Sequence, residues 1–429
     1  MPSLASQVTG EMVAWRYYDR RPPRQTFGPA GAAFAHAPFN GAFEAQQPLP
    51  ATYATGYLVP IGDAGVAQLI LRRTGVNTSS PSVAIGDVTG RFGAPLAVHG
   101  TVWLGHASLA GNGLGELLLA WVSSPRPGCR QVWASVRLPG RGFGRPQLIA
   151  SSADGLDVTA GVGPGSHRLL AGRTASDMAV VFDSKRGRML VAVALHGHSW
   201  ASPQDVGPAA VGNANMVATP YISRNSRIIV AWYHRQVSES RPSGPSFVQV
   251  AVRPPDKGRF LAARTLSRSP NGAAEGGVAI ASGAGFPPML AFLAPASPHE
   301  ATPARAVVKV SIAAGNGFRA PVTVSKAGQS ASDLVAAPGI VGPIFTWVST
   351  PSPNATTGPG GAVYAELPTR AGHTTPPIQV SPREHVQEAV AIQSRWGNRW
   401  MVAWTALPQW LSVSAPGRMV VRVSSCFCD

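Results

Sequence analysis

The sequence predicts an all-β fold: a β-propeller of about eight four-stranded blades, with seven as the alternative count, closing residues 1–429 into a single domain. Three observations carry that expectation. Hydrophobic residues make up 45% of the chain and charged residues only 13%, while 47 Gly and 40 Pro are scattered between short apolar runs, the pattern of many strands joined by turns. A strand-like phrase ending in a small residue and an aromatic recurs along the chain. A second phrase, aromatic-x-x-Pro, recurs out of phase with it.

The first phrase reads Met12-Val-Ala-Trp15, Leu118-Leu-Ala-Trp121, Ile229-Val-Ala-Trp232, Met289-Leu-Ala-Phe292, Ile344-Phe-Thr-Trp347 and Met401-Val-Ala-Trp404. Degenerate copies are expected at Gln68 to Arg72 and at Arg168 to Gly172, which keeps successive copies 49 to 60 residues apart. Periods of this size signal repeat architectures, in which neighbouring units bury each other's apolar faces. After each copy comes another alternating strand, such as Val132 to Leu138, Phe247 to Arg253, Val307 to Ile312 or Met419 to Ser424. The second phrase follows, as Arg91-Phe-Gly-Ala-Pro95, Gly142-Phe-Gly-Arg-Pro146, Ser199-Trp-Ala-Ser-Pro203 and Gly317-Phe-Arg-Ala-Pro321, with looser forms at Phe43 and Phe260. With the segment before each "AW" strand, for example Met216 to Ile222 or Gln387 to Gln393, each unit holds about four short strands, the content of a propeller blade.

The residue types fit that geometry. Inner strands covered on both faces read as continuous apolar runs. A buried Trp removes about 150–250 Å² from water, worth on the order of 4–6 kcal/mol before ordering entropy, so these Trp residues read as core anchors. Pro cannot donate to a ladder, which puts the aromatic-x-x-Pro phrase at the outer rim. The last unit lacks that phrase, so its blade is expected to be one strand short.

Charge and cysteine content bound the function only loosely. Basic residues outnumber acidic ones 36 to 20, giving a formal charge of +16, and only Lys185, Lys257, Lys309 and Lys326 among them are lysines. The densest basic cluster is Arg20, Arg21 and Arg24, and no run matches a nucleic-acid motif. Cys129, Cys426 and Cys428 are too few for a disulfide framework, and the Cys426/Cys428 pair reads as a tail. No apolar run reaches the roughly 18–20 residues that span a bilayer. No secretory signal leads the chain, whose first repeat begins at Met1 without preamble; read literally this is a cytoplasmic protein, and the favoured expectation is an exported one whose upstream region has been lost or whose start is misassigned.

His198-Ser-Trp-Ala-Ser-Pro203 resembles the tail of the sialidase-like, or BNR-type, propeller repeats of bacterial secreted proteins, and the general pattern covers nearly the whole chain. The family's Asp-box, Ser-x-Asp-x-Gly-x-x-Trp, is not intact: Ser152-Ala-Asp154-Gly155 is displaced by one residue and no Trp follows it. The resemblance implies a propeller and, for catalytic members, an arginine triad on the substrate carboxylate, a Tyr nucleophile with a Glu partner, and an Asp acid/base. Phe318-Arg319-Ala-Pro321 resembles the family's Phe/Tyr-Arg-Ile-Pro phrase but here is one copy of the rim repeat.

Other candidate chemistry reads as turns. His196-Gly-His198 has only Asp205 as a nearby carboxylate and reads as a solvated turn rather than a metal site. Asp154, Asp157 and Asp177 suit turn formation, with calcium between blades as the alternative. There is no Walker loop, nucleophile elbow or EF-hand. The sequence therefore assigns no catalytic, cofactor-binding or metal residues and no cofactor. It points to a noncatalytic binding or scaffold propeller, monomeric and exported, whose partner is an unidentified protein or carbohydrate. The long loops Arg16 to Ala32, Tyr233 to Phe247, Ala294 to Ala306 and Val348 to Ala362 are the expected contact surface. The alternative is a sialidase-like glycoside hydrolase or lyase acting on an acidic sugar, which a cluster of Arg, Glu and Tyr at the channel mouth would favour and a Ser/Gly-lined channel would disfavour. A polyanion binder is the third reading.

Overall fold

The structure is a computed structural model that describes residues 3–6, 10–18, 29–38, 44, 47–48, 54–61, 65–75, 78–87, 91–103, 106–126, 129–151, 158–163, 176–184, 186–209, 217–236, 244–269, 277–283, 285–297, 305–338, 342–351, 361–366, 376–383, 385–393, 400–407 and 418–424. Among these, the strands form eight antiparallel sheets, each from one contiguous stretch of chain and each paired in chain order. The third, Ala107–Gly111, Leu117–Arg126, Cys129–Arg137 and Gln147–Ser151, shows the four-stranded plan. The second is Ala54–Pro60, Val66–Arg73, Thr78–Gly86 and Leu96–Ala97, with Val102–Trp103 added to the third of these strands. The fourth to seventh sheets follow the same order, and the eighth has three strands among the described residues: His385–Gln393, Trp400–Leu407 and Arg418–Ser424.

First strands lie beside first strands of the next sheet throughout, and His385–Gln393 of the eighth sheet lies beside Ser3–Ser6 of the first. The sheets thus stand in a ring about a common axis, and the fold is a β-propeller.

The second strand of each sheet explains the stacking. In the second to seventh sheets its side chains alternate between the two neighbouring sheets, and both sides are buried. In the third sheet Leu117, Leu119 and Trp121 pack on Leu69, Leu71 and Val83 of the second, while Leu118, Ala120 and Val122 pack on Val158, Val180 and Phe182 of the fourth. Trp121, Trp232, Trp347 and Trp404, with Phe182 and Phe292, are among the largest fully buried side chains. Trp15 lies in a strand whose side chains fall outside the described residues.

Two degenerate copies differ from the sequence expectation. The hairpin bonds Ile61 N→Gly65 O, Asn112 N→Glu116 O, Gly163 N→Asp177 O and Ser223 N→Arg227 O align the second strands of four successive sheets. Trp121 and Trp232 each follow five residues after that carbonyl, so the corresponding residues are Ile70 in the second sheet and Phe182 in the fourth. The fourth sheet's second strand is Met178–Ser184, whereas residues 168–172 lie outside the described set. The phrase was misplaced because Val180-Val181-Phe182 has no Ala-Trp ending, although burial selects only a large apolar side chain there.

The aromatic-x-x-Pro phrases sit where the third strand gives way to the fourth. Phe92 bridges Gly86, Phe143 bridges Arg137, and Phe318 pairs with Ala313.

Tight approach between sheets is visible at Gly207, which ends the fourth sheet with φ +156; a Cβ there would lie 2.9 Å from Cζ2 of Trp232 in the fifth. Trp232 Nε1 donates to Pro208 O at 2.8 Å. G207A is expected to lower unfolding free energy in urea by about 1–3 kcal/mol through overpacking. G258A, at a position with no atom near a new Cβ, should leave it unchanged within error.

Candidate functional site

Among the described residues, a cleft lies between the second and third sheets, beside the outer strand of the second. Pro81 is in the third strand of the second sheet, and its carbonyl accepts from Val98 N at 3.1 Å. In an antiparallel strand a residue's N–H and C=O point the same way, so the donor Pro81 lacks is missing toward the fourth strand. The ladder stops there. Ser82 and Val83 pair with Ala97 and Leu96, and pairing resumes only at Ser79 and Thr78, with Val102 and Trp103. Val98 to Thr101 bulges out between the two short pieces. The third, fourth and fifth sheets also shift register at this position, at Val132/Trp133, Met189/Leu190 and Val248/Gln249, and resume pairing after one extra residue; the second sheet differs in the length of its bulge.

The bulge opens a cleft of about 800 Å³ between the sheets. His99, Gly100 and Thr101 form one wall; the other comes from the third sheet, from Trp121, Ser123, Gln131, Trp133, Phe143 and Arg145. Trp121 pairs directly with Trp133 across the second and third strands, and Ser123 with Gln131, so all four side chains leave the same face. Trp133 Nε1 donates to Ser123 Oγ at 3.0 Å and to Gln131 Oε1 at 3.3 Å, which fixes its ring against the mouth. Phe143 and Arg145 come from the rim phrase, held by Gly144 N→Val136 O at 2.9 Å and Ser135 Oγ→Gly144 O at 2.7 Å.

The floor carries an unused donor. Gly100 meets Trp121 as Gly207 meets Trp232, with a virtual Cβ 2.8 Å from Cζ2. Trp232 then donates to the next residue's carbonyl, but Trp121 Nε1 is buried and has no hydrogen-bond partner. Trp347 Nε1 is also unpartnered, beneath a ring stacked with Tyr364 at 6.3 Å. A buried indole N–H normally finds an acceptor; that of Trp121 lies beneath the wall of an open cleft.

The axis of the ring offers different material. The described first strands of the third to seventh sheets read ASLAG, VTAGV, VATPYI, VAIA and SASDLVAA. Their hydroxyls tie neighbouring sheets together: Ser108 Oγ accepts from Ala160 N at 3.1 Å, and Thr219 Oγ1 donates to Val278 O at 3.0 Å. Tyr221 and Ser282 share a 2.6 Å hydrogen bond. These five strands carry mainly small, apolar and hydroxylated residues, with Tyr221 and Asp333 among them; most side chains of the other three first strands lie outside the described residues.

Residues singled out by the sequence have other duties. Asp177 Oδ1 accepts from His196 N at 3.0 Å and lies 3.2 Å from His196 Nδ1. With His196 at φ 47 and Gly197 at φ 73, the segment is a capped turn. Asp154 and Asp157 lie outside the described residues, as do Cys426, Cys428, Arg20, Arg21, Arg24 and the middles of the four long loops. Phe318 is buried, its carbonyl accepts from Arg264 at 2.6 Å, and Arg319 O accepts from Ser311 Oγ, also at 2.6 Å. Cys129 is a free, exposed thiol. Among the described residues, no three His, Cys, Asp or Glu side chains group closely enough to hold a metal ion, and no helix is long and apolar enough to cross a membrane.

Two buried carboxyl groups lie between sheets. Glu116 accepts from Asn112 Nδ2 at 2.9 Å and from Ser176 Oγ, and Asn112 Nδ2 also reaches Gly163 O at 3.0 Å, so this cluster clamps the third sheet to the fourth. Glu366 pairs with Phe345 on the seventh sheet and is 1% exposed, with neither oxygen hydrogen-bonded. Burial pushes its carboxyl from 4.5 up to about 8, which keeps it protonated at neutral pH.

The sequence matches no protein-family model and no curated protein. Solved structures with similar backbones include a polysaccharide lyase of the ulvan lyase family PL25, 10% identical over 82% of this chain and 88% of that one, at a TM-score of 0.47. An α-L-arabinanase of Penicillium chrysogenum complexed with arabinobiose is 12% identical over 75% and 92%, at 0.38. A mutant Aleuria aurantia lectin in complex with α-methyl-L-fucoside is 14% identical over 73% and 94%, at 0.36. Likeness at this level says nothing about what this chain binds.

The raised Glu366 carboxyl sets a pH dependence. Its folded value lies above its unfolded one, so its contribution is most favourable below about pH 4.5 and is lost as pH rises through about 8. The accumulated cost is about 3 kcal/mol at pH 7. E366Q should therefore melt close to wild type at pH 5 and above it at pH 9, as followed by circular dichroism.

Proposed function

We propose that this protein is a noncatalytic carbohydrate-binding propeller whose ligand occupies the cleft between the second and third sheets. The observation that carries the reading is the cleft's lining: aromatic planes at Trp133 and Phe143 beside the orphaned, buried N–H of Trp121. A pyranose has an aliphatic C–H face that suits the negative face of an aromatic ring, and hydroxyl edges that suit fixed N–H donors. A purely apolar ligand would leave the polar lining unused, and a small polar ion would leave the rings uncovered.

A glycan ligand also fits the exported compartment expected from the sequence. The alternative, a hydrolase or lyase acting on an acidic sugar, needs a carboxylate pair for hydrolysis, or a general base such as tyrosine or histidine for elimination, at the reacting bond. The described lining of the cleft supplies rings, hydroxyls, an amide, an imidazole and a guanidinium. That donor set binds without offering an obvious proton acceptor of carboxylate type.

Glycan-array screening followed by calorimetry on the best oligosaccharide tests the reading. W133A removes a partly buried ring packed against the seam between the second and third sheets, so it is expected to lower the melting temperature while the protein stays folded by circular dichroism at the assay temperature, and to weaken binding by about tenfold or more. Wild-type binding with no new reducing end and no unsaturated sugar over a day completes the expected result. Product formation that survives W133A would place the chemistry elsewhere and overturn the proposal.

A further inference from the structure

We infer that the saccharide held by this cleft carries an anionic group, a carboxylate or a sulfate ester, and that Arg145 is its ionic partner; the inference rests on the cleft being the binding site. The first support is a segregation of charge. Across residues 88–153, which build the outer part of the second sheet and the whole of the third, the sequence contains six arginines (91, 126, 130, 137, 141 and 145) and one acidic residue, Glu116. The stretch is bounded by Asp87 and Asp154; against a chain of 36 basic and 20 acidic residues it holds an average share of arginines and fewer carboxylates. Glu116 itself is buried and engaged by Asn112 and Ser176, leaving its field spent between the third and fourth sheets rather than at the cleft.

The second support is the state of the polar groups that face the cleft. Arg145 is exposed, lines the cleft, and makes no hydrogen bond or ion pair with the described residues. At the outer strand of the fourth sheet, by contrast, Arg188 Nε is paired with Asp205 Oδ2 at 2.7 Å. Gln131 accepts from Trp133 through its oxygen, which turns its amide N–H₂ into a free donor. Trp121 Nε1, a donor without an acceptor, is buried behind Gly100, beneath the wall rather than facing the opening. A site that offers donors and keeps carboxylates away matches a ligand rich in acceptors, and a planar guanidinium beside a partly dry wall binds a carboxylate or sulfate through paired N–H bonds.

A nucleic-acid strand would also bring stacking rings and negative charge. Strand binding, however, uses a groove that tracks several phosphates in succession, whereas this opening is confined to the bulge of residues 98–101 and one face of the third sheet.

Calorimetry with four probes decides between these possibilities: cellohexaose as the neutral saccharide, an oligogalacturonate for carboxylate, a sulfated dextran oligosaccharide for sulfate, and an oligo-dT strand. Each is titrated into wild type, R145A and W133A. The expected result is that one of the two acidic saccharides binds about tenfold or more tighter than cellohexaose, and which of them does so identifies the anion. Its advantage should shrink with added salt and vanish in R145A, while W133A weakens acidic and neutral probes alike. Equal binding of neutral and acidic probes, with R145A silent and W133A weakening both, would overturn the anionic inference and leave the cleft reading intact. No saccharide binding sensitive to W133A would remove both. Tightest binding by oligo-dT, lost in R145A, would also overturn the inference in favour of a polyanion site.

Discussion

An aromatic side chain in the second strand of one sheet, seated against the sheet before it, sets the terms for the rest of this fold. Trp121, Phe182, Trp232, Phe292, Trp347 and Trp404 occupy this position in successive sheets from the third to the eighth and are fully buried. Each removes on the order of 150–250 Å² from water, and each needs a facing surface thin enough to admit it. Gly100 and Gly207 supply that thinness at two of the interfaces. The Ala beside Trp in the repeated phrase serves the same demand from the other side of the strand, because a small residue there lets the following sheet approach.

That constraint also explains why a site could arise where it does. A ring built from tightly packed faces has little room between sheets, and room appears only where a strand fails to run its full length. The second to fifth sheets each break or shift their outer ladder at one position, and in the second, at Pro81, the bulge is long enough to leave a cleft beside the next sheet's aromatic cluster. Backbone irregularity of this kind commonly borders binding sites because it frees side chains from the job of filling the core. Trp121 is anchored as its counterparts are, and it keeps a free N–H because the carbonyl that Trp232 finds at Pro208 has no counterpart within its reach.

Much of the architecture was legible in the sequence because burial on both faces forces a repeated apolar phrase, and because proline is excluded from ladders and so marks the rim. Legibility failed where burial demands size rather than identity: Phe182 satisfies the same position as Trp without the Ala-Trp signature, and the fourth sheet's second strand was therefore sought around residues 168–172. The cleft was hidden for a related reason. Trp121 and Phe143 belong to the two repeated phrases, and in most copies those phrases are purely structural. Two signals would have exposed it: Pro81 inside an otherwise regular strand, and the near absence of acidic residues between 88 and 153. The sequence left the channel open, because its strands are too short and too mixed in composition to be told from the rest of each repeat.

The cleft spans two sheets instead of lying inside one, and in a ring whose units touch only their neighbours that distinction changes what a ligand does. A molecule held by His99 and Thr101 on one side and by Trp133 and Arg145 on the other becomes part of the mortar between two units. On the proposed reading, its binding energy is added to the joint between the second and third sheets and leaves the remaining joints as they were, so a ligand that crosses the seam stabilises one pair of neighbours rather than the ring at large.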